Sequence, residues 1–345
     1  MHLILCDYEL NELAYTDKII SSNWELKFND IGTGEIHLNI NSPFLKPLLD
    51  KKYMLIKQGD CEHEIIGVVV GVTYGEDIAV FCRTLNWFLS KMVTPDNFYA
   101  TGEKSLHDTV ANEAKTILLK SHGCNISFGT AATFMHTPYF WRNTYNLTSD
   151  CIRDCLDNDN AGHRVRTDES SGKFYLDILK GTEREYFISL NDGTASKIEV
   201  QKDILDFANA GFFEKSVKTK DSDGNETEET VWTEYAPPSG TAEMYQWYEV
   251  LSGSSVSEAK SSLNEKADKN EVLTELQRLK YETNYNLGDF VKVQIENADI
   301  IMTVKQQITA VTLNWDSTGF SENPTLSAVK EYDEGEPPEE EEATT

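Results

Sequence analysis

Cys61-Glu62-His63-Glu64 places a thiol, an imidazole and two carboxylates side by side, the donor types from which a zinc site is built. In an extended segment, however, neighbouring side chains leave opposite faces, and no second Cys or His cluster follows nearby. The reading is therefore a structural or surface segment. Cys151 and Cys155 stand four apart, on one face of a helix, flanked by Ile152 and Leu156. Thiols in apolar company pack as small hydrophobes in preference to redox work. Asp221-Ser222-Asp223-Gly224-Asn225 has the look of a calcium loop, but its glycine stands fourth where an EF-hand needs it sixth, and no bidentate Glu stands twelfth. A hairpin turn is expected there. Asp150 with Asp154, or Glu183 with Glu185, could form the carboxylate pair of a glycosidase. Nothing places either pair in an apolar pocket, and among 58 acidic residues such pairs arise by chance. The aromatic link Tyr139-Phe140-Trp141-Arg142-Asn143-Thr144-Tyr145 could stack on a sugar or base, but with Arg142 as its lone cation it reads as packing between domains. G-x-S-x-G, H-E-x-x-H, the P-loop and G-x-G-x-x-G are all missing. No catalytic, cofactor-binding or metal-binding residue is assigned, no cofactor is implied, and the chain is not expected to be an enzyme.

The elements available to position side chains are mostly short strands. Over residues 1–100 the candidates are 3–5, 14–20, 24–28, 34–40, 53–57, 64–74 and 78–83, punctuated by Gly32-x-Gly34, Gly59-Asp60 and Gly75-Glu76-Asp77. Strands at this spacing indicate a barrel or sandwich, on which Leu85, Phe88, Leu89 and Met92 pack as a short helix. Residues 101–183 read as α/β. Ser105 caps a helix with a Leu106, Val110, Ala114, Ile117 and Leu118 stripe, and Thr148 or Ser149 caps a second with Cys151, Ile152, Cys155 and Leu156 inward. A hairpin over 163–179 follows. Residues 184–328 return to β, with strands at 186–190, 196–202, 208–219 and 230–235. From Ser255, with Glu258 as its capping-box partner, a polar helix is expected to run to Tyr281, interrupted at Asp268-Lys269-Asn270. Alternation then returns in three β runs, 290–295, 300–304 and 306–315, which predict a closing antiparallel meander.

With 345 residues the chain can form two or three domains. Its longest apolar run, Ile65 to Val72, is far short of the roughly 18 residues of a membrane span, and Met1 to Cys6 is too brief and too soon acidic for a secretory signal. Six cysteines without a C-x-x-C pair fit reduced thiols in a protein made in a cytoplasm. The net charge of −27 is partly concentrated in eight carboxylates from Glu331 onward, in a Pro/Glu tail expected to stay disordered. Lys and Arg are scattered, which argues against sequence-specific nucleic-acid binding.

Leu287-Gly288-Asp289 before a strand, Ile308-Thr309-x-Val311, Trp315-Asp316-x-x-Gly319-Phe320 and Pro324-Thr325 together resemble the C-terminal signature of the Gp37-like tail-hub proteins of long-tailed bacteriophages. Trp24, Ile66-Gly67-Val68-Val69, Cys82 to Leu89, and Ser189-Leu190-Asn191-Asp192-Gly193 before Tyr235 follow in the same order. Two departures stand out: Cys82 replaces a small residue, usually Gly, and Gln306-Gln307 stand where an Arg commonly precedes the Ile-Thr strand. The resemblance implies a β-rich α+β fold with two similar β-barrel-like domains, at 1–100 and 184–328 (the second with a helical insertion at 255–282), an α/β domain at 101–183, and the acidic tail at 329–345. It also implies a homotrimeric baseplate hub or tail-tip protein of a virion or tail-like particle, joining a six-fold tail tube to a three-fold spike or fibre. Its partners are then the tube or distal tail protein, the spike or fibre and the tape-measure protein. The alternatives are a tail-associated cell-wall or polysaccharide hydrolase and a receptor-binding protein.

Overall fold

The computed structural model describes residues 1–329 except 60–62, 96–97, 101–109, 133–140, 144–145, 158, 169, 204–206, 221–225, 252–258, 260–261, 264–268, 277 and 298–299. The acidic tail, Ser105 and Leu106, and Ser255 with Glu258 thus lie outside the described residues. The chain begins β1 (His2–Cys6), β2 (Glu12–Thr16), β3 (Ile19–Lys27), β4 (Thr33–Asn39), α1 (Leu45–Asp50), β5 (Leu55–Gly59), β6 (Glu64–Tyr74) and β7 (Asp77–Thr84). A 3-10 helix at Leu85–Lys91 follows, then β8 (Val93–Thr94), β9 (Phe98–Ala100), α2 (Val110–Lys120), β10 (Ile126–Ala131), β11 (Trp141–Asn143), β12 (Asn146–Leu147), α3 (Thr148–Asp157), β13 (Ala161–Asp168) and β14 (Lys173–Lys180). The remainder is β15 (Glu183–Ile188), β16 (Ala195–Asp203), β17 (Ala210–Lys220), β18 (Glu226–Tyr235), β19 (Tyr248–Val250), β20 (Lys269–Leu276), β21 (Phe290–Asn297), β22 (Ile300–Asp316) and β23 (Gly319–Ala328).

Contacts divide the chain into two compact units, one of Met1–Glu199 with Leu273–Glu334 and one built on Val200–Val272. Thirteen strands share one sheet, eleven of them wholly in the first unit, and its main path is β16-β20-β23-β22-β3-β4-β7-β6-β5-β1-β2. The seam is β22. Its first half, Ile300–Gln307, pairs with β21, and its second half, Ala310–Trp315, pairs with β3, while β23 runs along its other edge. A register shift between Ile308 and Ala310 marks the change of partner. With β15 beside β21, one long strand belongs to two lobes, an N-terminal one through β3 and a C-terminal one through β21.

The N-terminal lobe curls. Four strand spacings separate β3 from β5, about 19 Å in a flat sheet. Yet Ser22 Oγ and Trp24 Nε1 of β3 both donate to Gln58 Oε1 of β5, at 2.5 and 3.0 Å. Trp24 fills the curl, fully buried. Gly34, opposite Trp24 on β4, lies so close under the indole that a Cβ there would come 2.5 Å from Cε3, and one at Gly67 on β6 would collide with Cη2. Gly34, read as turn punctuation at the start of a strand, is the second residue of β4 and is a glycine because a ring lies on it. Among the described residues the curled sheet closes through side chains, with no backbone pairing that completes a barrel.

Against this lobe packs the α/β layer, a three-stranded sheet β10-β14-β13 with β10 parallel to β14 and β13 antiparallel. The expected helix faces are those buried: Ala114, Ile117 and Leu118 of α2, and Cys151, Ile152, Cys155 and Leu156 of α3. They share one core with Leu55, Val68, Phe88, Leu89 and Met92.

Two expectations need correction. The polar helix to Tyr281 does not extend that far. Ala259, Ser262 and Leu263 are helical, but Lys269–Leu276 is strand β20, between β16 and β23. A narrow apolar stripe gives a helix little to bury, whereas the edge of β23 supplies a ladder of backbone partners. The closing meander also differs. The second and third runs are one strand, β22, and the third strand is β23, which reads poorly as strand because Pro324 lies in it.

In the second unit, β17 and β18 form a long hairpin with Lys220 opposite Glu226, so strands flank the expected turn at 221–225, itself outside the described residues. β19 adds parallel to β17. One face of this sheet buries Phe213 with Ala208, Leu251, Ala259 and Leu263.

Candidate functional site

Among the described residues, those with chemical potential do not converge. Cys61 and Glu62 lie outside the described residues. His63 is buried, its Nδ1 3.2 Å from Glu282 Oε2 and its Nε2 3.7 Å from Glu322 Oε2, between the rings of Tyr281 and Phe320. It ties the start of β6 to β23, five strands away along the sheet. Glu64 is exposed at the head of β6. Cys151 and Cys155 are buried in the shared core, and burial pushes the Cys151 thiol up to about 11. Asp150 and Asp154 both face Arg153, at 3.1 and 3.8 Å. Glu183 meets Lys305 at 3.3 Å and Lys292 at 3.6 Å; the Lys305 hydrogen bond, above all, holds its carboxyl below the usual range. That is the electrostatics of a surface ion pair and the reverse of a general acid's. Glu185 is exposed. Of the aromatic link, Trp141–Asn143 forms β11 against β9, and the other residues lie outside the described set. Among the described residues no trio of His, Cys, Asp or Glu is placed to hold a metal ion.

What does converge is a three-way junction around Phe28, just past the end of β3. Its backbone N–H donates to Thr309 O at the β22 shift, and its carbonyl accepts from His163 N–H of β13. Its ring lies against two glycines. A Cβ at Gly162 would come 2.6 Å from Cδ2, and one at Gly288 would collide with Cε2. Gly288 has φ +90, a conformation that favours glycine, and Gly181 in turn leaves no room for a Cβ against the Gly288 carbonyl.

Next to Gly288, Asp289 is buried and fully engaged. Its carboxylate accepts from Thr182 N–H at 2.8 Å and Asn286 N–H at 2.7 Å, and pairs with Arg184, Nε at 2.7 Å. Gln307 Nε2 donates to the carbonyls of Gly288 and Asn160, each at 3.1 Å. On the other flank Asn86 donates to Asp30 O at 2.9 Å and accepts from Val165 N–H at 2.8 Å, while His163 Nδ1 sits 2.9 Å from Asn29 Oδ1. Burial pushes the His163 pKa down to about 4, so the ring is neutral. The junction binds the end of β3, the start of β13, the 181–184 link and the Leu287-Gly288 turn into one body.

No protein-family model matches the chain, and no curated protein matches it in sequence. Solved structures do. A 43 kDa tail protein of prophage MuSo2 from Shewanella oneidensis superposes with a TM-score of 0.57 at 12% identity, over 95% of this chain and 98% of that one. A tail protein from Neisseria meningitidis MC58 gives 0.56 at 8% identity, over 94% and 96%. The chain has the fold of a phage tail protein. Prophage tail protein gp18 from Listeria monocytogenes EGD-e agrees, with 0.52 at 12% identity over 96% of both chains.

Within this tail-protein fold, the Leu-Gly-Asp signature falls at the junction, and the Ile-Thr-x-Val run spans the register shift of β22, where pairing with β3 begins at Ala310. Gln306 and Gln307, where an Arg had been expected, are both buried, and Gln307 caps carbonyls without bringing a charge. Cys82, the other departure, is buried opposite Gly34 and Val69. Phe28 and Gly181 were not singled out in sequence, and Gly162 was read only as the stop after the second helix. The available signal was glycine outside any polar turn cluster, as at Gly162 between Ala161 and His163.

Proposed function

We propose that the chain is a structural hub at the tip of a phage-type tail, made in a bacterial cytoplasm and assembled as a homotrimer into a virion or tail-derived particle. The observation that carries this reading is β22, which lets one chain carry two sheet lobes on a common seam. Tail-protein structures matching over nearly the whole chain support it. Three chains then present six lobes, matching a six-fold tube or distal tail protein on one side and a three-fold spike or fibre on the other. Closed rings need heterologous contacts, each chain offering two different faces.

In this reading the two β domains, 1–100 and 184–328, are pseudo-equivalent and barrel-like, with the α/β domain at 101–183 and the acidic tail at 329–345 outside the ring wall. The channel, shared with DNA or a tape-measure protein, carries no cluster of Lys and Arg, so that nucleic acid is not gripped. The junction fixes the lobes to each other and to the α/β layer, which suits a part that transmits load and performs no reaction. Electron microscopy of the purified chain and of the assembled particle tests the proposal. The expected image is a three-fold ring with six similar lobes around a pore. A particle with a single β domain per chain, or a pore lined by Lys and Arg, would falsify it.

A further inference from the structure

The sheet β18-β17-β19 in the second unit is apolar on both faces. Cross-strand register puts Phe212 opposite Glu234 and Val250, and Glu214 opposite Trp232, so these side chains share the face turned away from Phe213. Antiparallel strands with one face on a core normally turn polar residues to water. Here Phe212 is 42% exposed, Trp232 57%, Tyr248 43% and Val250 68%, whereas Phe213 and Leu251, one residue along, are buried. Phe212 and Tyr248 stack at 5.6 Å between centroids, and Tyr248 Oη donates to Glu234 Oε1 at 2.7 Å. The rings are thus held in place without being covered.

From this face we infer that the Val200–Val272 unit carries the self-association surface of the chain, and that a second copy seats on it. This rests on the ring reading above. Four such side chains, roughly half exposed, offer about 400 Å² of apolar surface. One side of a stable protein interface buries roughly 600–1,000 Å², of which roughly 340–570 Å² is apolar, so the face suffices for one stable contact in the lower part of that range. Trp and Tyr are also the residue types that dominate binding energy at interface centres. Charge sets the geometry. An isologous contact would press Glu214 and Glu234 against their own copies, whereas a heterologous contact sets them against a different face of the neighbour, as ring closure requires. The same two carboxylates disfavour an anionic lipid surface or a nucleic acid as the occupant.

Sedimentation of the full chain, wild type beside Trp232→Glu and the double variant Phe212→Ser/Val250→Glu, tests the inference. All three positions are exposed, so unchanged melting temperatures are the check on folding. The expected result is a wild-type trimer and variants whose association constant falls at least about thirtyfold. Variants that remain trimers overturn the inference while leaving the ring reading standing; the face then belongs to another occupant, such as a different protein or a neutral polysaccharide. A wild-type dimer split by the variants upholds the face and ends the ring reading. A wild type that stays monomeric at every concentration overturns both.

Discussion

His37 Nδ1 lies 2.6 Å from Asp77 Oδ2 and its Nε2 2.9 Å from Glu35 Oε1, and the Asp77 hydrogen bond above all holds its pKa above the usual histidine value. His163, buried beside Asn29, is shifted the other way, to about 4. The two contribute to stability with opposite signs. The His37 contribution is fully present below the unfolded value near pH 6.5 and is lost as pH rises through the folded value. The His163 contribution is present above about pH 6.5 and is lost as pH falls toward about 4, because the unfolded chain takes the proton first; it is on the order of 3 kcal/mol. Melting temperatures from pH 4 to 8 should show His163→Gln flattening the acid limb and His37→Gln the neutral one. An acid limb identical in wild type and His163→Gln would contradict the assignment. The indole of Trp24 sets the other expectation at this scale. Gly34→Ala should destabilise by about 1–3 kcal/mol through overpacking, while Gly75→Ala, with open space around it, should change melting little.

At the scale of elements, the junction is held by Asp289, and its removal leaves Arg184 partly buried with two backbone donors unpaired. Asp289→Ala should cost about 3 kcal/mol, read as a shift of the urea midpoint with an unchanged slope; a loss under about 0.5 kcal/mol would show the turn held by its glycine alone. Much of this region was legible. The Leu287-Gly288 turn, the strand from Phe290 and the turn at Asp316, where Thr318 N–H donates to Oδ1 and Gly319 takes φ +126, follow from local chemistry. So do both helix faces of the α/β layer. Partner exchange along β22 was not legible, because a ladder that changes neighbour midway leaves the alternation intact apart from one bulge at Thr309. Nor was β20, where the choice between helix and strand is made by an open edge supplied from elsewhere in the chain. The candidate chemical residues were individually visible, and the dispersal of the described ones could be known only once the fold placed them.

For the whole molecule, the proposed hub role predicts that purified protein leaves a peptidoglycan gel intact; clearing that disappears on mutating one carboxylate would show a hydrolase instead. The shared strand bears on how the molecule is made. Trp24 of β3 finds its backbone partner at Leu313, almost 290 residues later. At about 5–20 residues per second of synthesis, β3 waits roughly 15 to 60 seconds with one edge open. Contacts this distant in sequence also make for slow folding. An emerging chain thus presents a long strand edge, next to a curled sheet complete on its other side, to every other emerging chain in the cell. Chains stopped at residue 299 should therefore aggregate when refolded, with light scattering that rises with concentration, while the full chain refolds slowly and clears. Equal solubility of the two would mean that the edge is guarded by something other than β22. Under the proposed hub role, the cell that makes the chain has to shield the open edge of β3 until β22 is released, and the supply of free chaperone then limits how many chains reach the assembled particle.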